Sequence, residues 1–593
     1  MVAGTNNSNN KNSNTSNAAA DQKTPLLGSG GGGGGNQHYS TTPRPPVSRP
    51  KYKRRRSSFD ASTYNSAGQS PGYVRSSAAS SIHEPLTLSD PGLDLRRLLG
   101  LTICMAGVQF TWTVELSYGT PYLLSLNLSK ELTALVWIAG PLSGLLVQPL
   151  IGAFSDKCTS RFGKRRPFIV IAGLLTCFSM IGVAYAREIA HVIVRLQYGD
   201  DEQDLDIVGQ ASRTYAIVVA VAAFYFLDFT LNAVQAICRA LILDIPPLWQ
   251  QDEANAWSAR MCNSSMVIGY FVGFVDLVKL LPWLGDSQIK VFCAVAIVVF
   301  CATLGITCVT THEKKLDRAD DEDNQPWYST FVYIWRAFRW LPRPVQTLCN
   351  TQFFAWMGWF PFLFYSTQWV SDIYFSTHPS NKGTDDNWAD GTRAGSFALL
   401  CYSIVSVIAG VVIPAFVSRY EKAIRWFSLT NVYTASHLVV AGALLSAWFV
   451  DSVAGATVVL AVMGIPWAIV LWVPFSLVGE FVSYEDEQRQ KAQFVDGVTA
   501  SLTGSSSSSS PARMEDQQED FDAGMILGVH NMYIVFPQFA VAIIAAFIFA
   551  AADALDPENG GKQDSSSVAP VLAFGGMMAL IAAAFSRFVV RVK

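Results

Sequence analysis

The sequence predicts an all-α integral membrane protein with about twelve transmembrane helices in two six-helix halves. Half of its 593 residues are hydrophobic and only 15% are charged, whereas soluble domains carry about 25% charged residues. The apolar residues form long runs, and about 20 apolar residues in a row suffice to cross a bilayer as a helix. A formal net charge of −3 argues against a strongly basic nucleic-acid-binding protein.

The chain begins with a polar segment, and residues 1–95 are predicted to be a disordered cytoplasmic tail. Asn, Ser, Thr and Gly dominate this segment. Such a composition cannot bury enough apolar surface to offset the conformational entropy that folding removes.

Apolar stretches of membrane-spanning length follow one another from residue 98 onward. We place them near 98–120, 131–152, 167–186, 213–238, 261–282, 290–310, 347–370, 394–418, 425–449, 454–479, 523–551 and 568–588. The polar segment 311–345 separates a six-span half at 96–310 from a second half at 346–593. Two six-span halves around a long central loop are the layout of a major-facilitator transporter.

Basic residues predict the orientation of the spans. They are concentrated after spans two and eight and in the central loop, and are sparse in the alternate loops. The positive-inside rule therefore places both termini in the cytoplasm. The serine-rich segment 481–522 is then a cytoplasmic insertion, predicted to be disordered.

Span four carries a single polar stripe. Relative to Asp228, the side chains of Asn232, Gln235 and Arg239 are rotated by about 40°, −20° and 20° at 100° per residue. One polar face on an otherwise apolar helix favours a water-filled cavity. The alternative is a hydrogen-bonded seam between packed helices.

Further polar residues lie inside other spans, where ionisable side chains are costly and suggest function. Span one carries Glu115, with Tyr118 on the same face. Span five carries Asp276 and Lys279, which either contact substrate or pair locally near the extracellular end.

The second half adds candidates for substrate contact. Span eleven carries His530 and Asn531, and span seven is dense in aromatic residues, of which Trp359 is the candidate. A buried carboxylate such as Asp228 can load and release a proton, whereas amide, phenol and aromatic groups suit a polar, uncharged solute. This combination predicts a proton symporter for such a solute.

The loop after span two resembles the signature loop of sucrose transporters, in the glycoside–pentoside–hexuronide branch of the major facilitator superfamily. It reads GAFSDKCTSRFGKRRPFI over 152–169, and the CTS insertion before RFG is its specific feature. The resemblance implies a clamp that gates the cytoplasmic side. Its residues would be Asp156, Arg161, Gly163, Arg165 and Arg166.

Similar motifs recur over 96–590, and they imply proton-coupled uptake of sucrose or a related α-glucoside such as maltose. By this resemblance Asp228 is the proton carrier and Arg239 its partner, while Lys279 matches a charged position of span five. Plant members carry Gln where this chain has Glu115, which resembles the animal and fungal branch. Glu115 is therefore expected to add to the proton site or share it.

Two other functions stay open, an uncoupled sugar facilitator and a non-transporting sugar sensor. An enzyme is disfavoured because no metal-ligand or nucleophile constellation stands outside the spans, and no cofactor or metal is expected. The expected partners are a disaccharide, protons and the lipid bilayer, and no nucleic acid. The plasma membrane is favoured over the vacuolar membrane as the location.

Overall fold

A computed structural model describes most of the predicted membrane part. It covers residues 92–156, 158–198, 205–247, 250–313, 341–378, 388–420, 428–481, 484, 523–555 and 568–589. The predicted disordered tail and insertion and the predicted central loop lie outside the described residues, apart from a few residues at their edges.

The first group of helices precedes the central loop. Its helices are α1 (Leu95–Thr102), α2 (Cys104–Ser125), α3 (Lys130–Val136), α4 (Ala139–Asp156), α5 (Arg166–Ala184), α6 (Ala186–Tyr198), α7 (Leu205–Asp244), α8 (Gln251–Phe274), α9 (Leu277–Leu280) and α10 (Gln288–Thr310).

The second group follows the central loop. Its helices are α11 (Arg343–Thr377), α12 (Trp388–Tyr420), α13 (Leu429–Leu445), α14 (Val453–Val470), α15 (Ala523–Leu555) and α16 (Ala569–Ser586). A 3₁₀ turn, Ser446–Phe449, follows α13, and after α14 the chain is again helical over 473–481.

The helices confirm the predicted all-α membrane fold. Within the described residues, ten helical stretches are long and apolar enough to cross a membrane, and they match ten of the predicted spans. The predicted fifth and seventh spans are helices too, α8 and α11, but both are more polar. In α11 the polar residues near its carboxyl end, among them Ser366 and Gln368, are buried inside the protein, so they do not meet lipid.

One helix was not predicted. α6 follows α5 after a single residue and carries charged side chains along one face. Its apolar residues do not form a run of membrane-spanning length, so the sequence pattern does not predict this helix. Leu196 on this helix is 83% exposed.

The outer surface of the bundle is apolar, as a bilayer requires. Large apolar side chains such as Phe178 on α5, Val411 on α12 and Phe547 on α15 are about two-thirds exposed or more.

Below, "upper end" denotes the end where α2, α8 and α11 finish and α7 and α12 begin, and "lower end" denotes the opposite one. All ten cysteines are free, in keeping with the lack of a predicted disulfide framework.

Candidate functional site

Two acidic side chains meet in the interior of the first helix group. Glu115 of α2 and Asp228 of α7 are each 3% exposed, and their carboxyl groups are close enough to interact electrostatically. No donor in the part of the chain that the structure describes reaches Glu115 Oε2 or Asp228 Oδ1. A small cavity borders Glu115, with Thr111 and Phe224 in its wall. The structure thus joins two sequence-predicted residues into one buried acid pair.

The polar stripe of α7 continues below this pair as contacts to α4. Asn232 Nδ2 donates to Ser143 Oγ at 2.7 Å, and Gln148 Nε2 donates to Asn232 Oδ1 at 2.8 Å. Asn232 Nδ2 also donates to the backbone oxygen of Asp228 at 3.0 Å. At Asn232, therefore, the stripe forms a hydrogen-bonded seam between two helices.

The remaining residues of the stripe lie closer to the lower end. Gln235 is 2% exposed. Arg239 is eleven residues beyond Asp228, which corresponds to about 16 Å along the helix axis. The pairing of Arg239 with Asp228 that the resemblance implies stays a prediction.

Asp276 and Lys279 form part of an ion-pair cluster at the upper end. Lys279 Nζ lies 3.0 Å from Asp276 Oδ2, and the Lys279 side chain is 86% exposed. Arg393 of α12 reaches the same carboxylate at 3.2 Å and donates from Nε to the Phe274 backbone oxygen at 3.0 Å. Arg393, which the sequence reading missed, thus connects the second helix group to the first.

The pKa of Asp276 follows from this cluster. Burial opposes ionisation of its carboxyl group, but hydrogen bonds from Lys279 and the positive charges of Arg393 and Lys279 outweigh burial. Together they hold the pKa of Asp276 below its ordinary value of 3.8.

Three further contacts join the two helix groups near the upper end. Thr120 Oγ1 of α2 donates to the Phe364 backbone oxygen of α11 at 2.7 Å. Trp137 stacks on the Phe364 ring, with centroids 4.3 Å apart and planes at 11°. Trp388 of α12 packs against Tyr118, whose ring centroid is 6.0 Å away. The Tyr118 hydroxyl donates to the Gly273 backbone oxygen at 2.6 Å, so this predicted substrate contact lies just beneath the junction.

The second helix group holds the other predicted contacts in its interior. The His530 Nε2 lies 3.4 Å from Gln352 Nε2, and Gln352 Oε1 accepts from the Tyr433 hydroxyl at 3.0 Å. Asn531, the next residue of α15, is also buried. Trp359 is 1% exposed and packs on Trp467, with ring centroids 4.9 Å apart.

The signature loop is bonded at the lower end to the end of α7 and to the chain beyond α10. Arg165 Nε and Lys164 Nζ each lie 2.9 Å from Asp244 Oδ2 at the end of α7. The backbone N–H groups of Arg165 and Arg166 donate to the Glu313 carboxylate at 2.7 and 2.9 Å.

Two other residues of the signature loop have local roles. Gly163 has a φ of 107°, a left-handed conformation that favours glycine. Arg161 packs over the Phe162 ring at 4.7 Å. The side chain of Asp156 lies outside the described residues, so its predicted place in the clamp stays a prediction.

Sequence reasoning missed the two carboxylates to which this loop is bonded. Asp244 ends span four and Glu313 follows span six, both at ends that the predicted orientation placed on the same side as the loop. Their position on the same side of the membrane as the basic loop was the signal that could have identified them as its partners. Among the described residues, no group of three or more His, Cys, Asp or Glu is placed to hold a metal ion.

Known proteins with similar sequences are transporters. A general alpha-glucoside permease of Schizosaccharomyces pombe is 30% identical over 572 residues, covering 84% of this chain and 94% of that protein. The sucrose transport protein SUT1 of Oryza sativa subsp. japonica is 29% identical over 424 residues, covering 66% of this chain and 77% of that protein. No family model matches the chain.

A solved structure supports the fold. A bacterial homologue of the human lysosomal transporter Spinster superposes with a TM-score of 0.51 at 13% identity, covering 84% of this chain and 98% of that one. At such low identity the match speaks for the fold alone. Like its sequence relatives, the chain is a multi-pass membrane transporter. It is not an enzyme. Its 30% identity to a relative of which it covers 94% shows that the chain belongs to the family of sucrose and alpha-glucoside transporters.

Proposed function

We propose that this protein is a proton-coupled symporter that imports sucrose or a related α-glucoside, such as maltose, by alternating access. The substrate class is supported by the names of its relatives, an alpha-glucoside permease and sucrose transport proteins. The two helix groups would rock about a site near the middle of the membrane, as in other transporters with this architecture.

The observation that carries the coupling is the burial of two interacting carboxyl groups, those of Glu115 and Asp228, in the interior of the first helix group. Two carboxylates that interact in a buried site cannot both be charged without a large electrostatic cost. The pair therefore holds a proton in this conformation, and a rearrangement that brings water or a cation to it would release that proton. The two groups titrate as a unit, so the carried proton belongs to the pair.

Alternating access requires the upper-end contacts to break. The Arg393–Asp276 ion pair and the Thr120–Phe364 hydrogen bond both join the two helix groups there. The predicted orientation places this end outside the cell. We propose that sugar and proton enter when these contacts open and leave at the lower end after they close.

The test is uptake of labelled sucrose and maltose by transport-deficient yeast expressing the full chain, at acidic and neutral external pH, with and without a protonophore. A symporter accumulates sugar best at acidic pH, and the protonophore abolishes accumulation. Asp228→Asn should abolish accumulation but leave equilibration of sugar, and Glu115→Gln should weaken or shift the pH dependence. Asp286→Asn removes an exposed carboxylate, 77% accessible at the upper end, and serves as the matched control.

The same assay distinguishes the alternatives. Uptake that depends neither on pH nor on the protonophore would indicate a facilitator and assign Glu115 and Asp228 a structural role. Surface expression without transport of either sugar would favour the sensor. A fluorescent fusion observed in the same cells tests the proposed plasma-membrane location against the vacuolar membrane.

A further inference from the structure

A cluster of four aromatic side chains occupies the middle of the second helix group. It consists of Trp356 and Trp359 on α11, Tyr402 on α12 and Trp467 on α14, and we call it the aromatic cage. Trp467 is its centre, with ring centroids 6.0 Å from Trp356, 4.9 Å from Trp359 and 6.1 Å from Tyr402.

The cage lies at mid-membrane depth. Trp356 is thirteen residues from the start of α11, and Tyr402 and Trp467 are each fourteen residues from the starts of α12 and α14. At 1.5 Å per residue these positions are about 20 Å from the first residue of each helix. Because α11 enters from the lower end and the other two enter from the upper end, all three meet near the centre.

The cage also faces the first helix group. Trp356, Phe360 and Phe364 lie one turn apart on a single face of α11, with successive ring centroids 5.3 and 5.5 Å apart. Phe364, the last of them, stacks on Trp137 of the first group. On the α12 side, Tyr402 belongs to the same buried apolar cluster as Tyr270 of α8. The cage therefore borders the junction between the groups, where transporters of this architecture bind substrate.

Three residues of the cage carry buried polar groups, two indole N–H groups and one phenol. Trp356, Tyr402 and Trp467 are each no more than 2% exposed, yet Trp356 Nε1, Trp467 Nε1 and the Tyr402 hydroxyl oxygen lack a hydrogen-bond partner among the described residues. An unsatisfied buried donor is destabilising, and natural proteins carry few of them. Three such donors, on Trp467 and on the two rings that pack against it, point to a hydroxyl-bearing molecule that completes the site in another step of the cycle.

One close helix contact holds the cage together. A Cβ atom at Gly464 of α14 would lie only 2.5 Å from the Tyr402 backbone oxygen. The absence of a side chain there lets α14 approach α12 closely enough for Trp467 to contact Tyr402.

We propose that Trp356, Tyr402 and Trp467 form a carbohydrate subsite that binds one pyranose ring of the transported glucoside. The two indole N–H groups and the phenol bind ring hydroxyls, and the aromatic faces pack against the apolar C–H face of the sugar. Sites with aromatic walls and a few placed polar groups bind and orient small molecules in this way. This inference rests on the proposed sugar transport and adds the residues that recognise the sugar.

The experiment replaces each donor while keeping an aromatic ring, as Trp356→Phe, Tyr402→Phe and Trp467→Phe in the full chain. Each variant should raise the KM for sucrose or maltose by about three- to tenfold, the effect of one lost hydrogen bond, and leave the maximal rate per surface transporter within about twofold. Trp112→Phe is the matched control, because the Trp112 indole N–H on α2 is also buried and lacks a partner among the described residues. Surface abundance and thermal unfolding of each purified variant identify any that fold poorly.

Monodeoxy analogues of the transported sugar sharpen the assignment. The wild-type protein should bind at least one analogue more weakly than the parent sugar. One Phe variant should bind that analogue no more weakly than it binds the parent sugar. Unchanged KM in all three variants, an equal rise in the Trp112→Phe control, or strictly additive losses for every analogue would overturn the subsite.

A second readout separates the subsite from the transport proposal. Thermal stabilisation of the purified full chain is measured with glucose, methyl α-glucoside, sucrose and maltose. If a sugar stabilises the wild-type protein more than the cage variants, but cells take up no sugar, the transport proposal is rejected and the subsite is kept. Normal uptake with wild-type KM in the cage variants would reject the subsite and keep transport. A protein that none of these sugars stabilises and that moves neither disaccharide would reject both.

Discussion

Loss of the Arg393 side chain should open the upper end of the transporter. Arg393 makes two bonds to the first helix group, to the Asp276 carboxylate at 3.2 Å and to the Phe274 backbone oxygen at 3.0 Å. The Arg393 and Asp276 side chains are 25% and 23% exposed, so solvent screens the ion pair and keeps its contribution small. Together the two bonds stabilise closure by about 1–2 kcal/mol, and Arg393→Gln should raise the open fraction about five- to thirtyfold.

The assay measures maleimide labelling of a cysteine placed beneath the junction. Ser396 is fully buried on α12, and a Cβ at Gly273 of α8 would lie 3.2 Å from its hydroxyl. Ser396→Cys should therefore react only when the groups separate. In purified protein its labelling rate should rise with the open fraction in the Arg393→Gln background. The same protein without Ser396→Cys measures the background from native cysteines.

Two further variants decide whether the ion pair is the cause. Asp276→Asn should raise labelling less than Arg393→Gln, because the bond from Arg393 to Phe274 remains. The double variant should label no faster than Arg393→Gln alone, since both changes remove the same pair. Asp390→Asn removes a partner of Arg393 within α12 and should change the rate less than twofold. Unchanged labelling in Arg393→Gln, or additive effects in the double variant, would refute this account of closure.

The remaining predictions concern pH and packing. The pKa of Asp276 is held below 3.8, so its ion pair with Arg393 is present above pH 3.8 and is lost as the pH falls through the lowered pKa. The ratio of labelling rates with and without Arg393→Gln should therefore be constant from pH 5 to 8. Gly163→Ala should destabilise the purified protein by about 1–2 kcal/mol, because φ is 107° and the new Cβ would lie 2.7 Å from Glu313 Cδ. Gly464→Ala should cost about 1–3 kcal/mol through overpacking against the α12 backbone. Asn232→Ala should cost about 1–3 kcal/mol, because it leaves buried polar partners on α4 unsatisfied.

Thermal unfolding of the purified chain measures the last three effects. Gly144→Ala and Gly442→Ala are the controls, since a Cβ at either position meets no atom within 4 Å and alanine favours a helix. Unfolding temperatures equal to those of the controls would contradict the packing argument for Gly163 and Gly464. For Asn232, an unchanged unfolding temperature would mean that the seam with α4 adds nothing to stability.

The sequence by itself determined the helices and much of the candidate site. Membrane-spanning length is a local property of composition, so ten spans were found where the structure has apolar helices of that length. Helical periodicity is local as well, and it placed Asp228 and Asn232 on one face of α7. Glu115 stood out because a carboxylate inside a membrane span is costly. The signature loop, a local motif, indicated the family.

Lateral packing was decided only in the tertiary structure. The proximity of Glu115 and Asp228 depends on how α2 and α7 approach each other, and Arg393 lies 117 positions from its partner Asp276. The same applies to Asp244 and Glu313, which bind the signature loop. No periodic pattern in a single chain encodes which helix faces meet, because an apolar helix can pack against many neighbours through similar surfaces. For the same reason nothing in the sequence singles out Trp467 and Tyr402, whose donors lie side by side in the folded chain and lack a partner among the described residues.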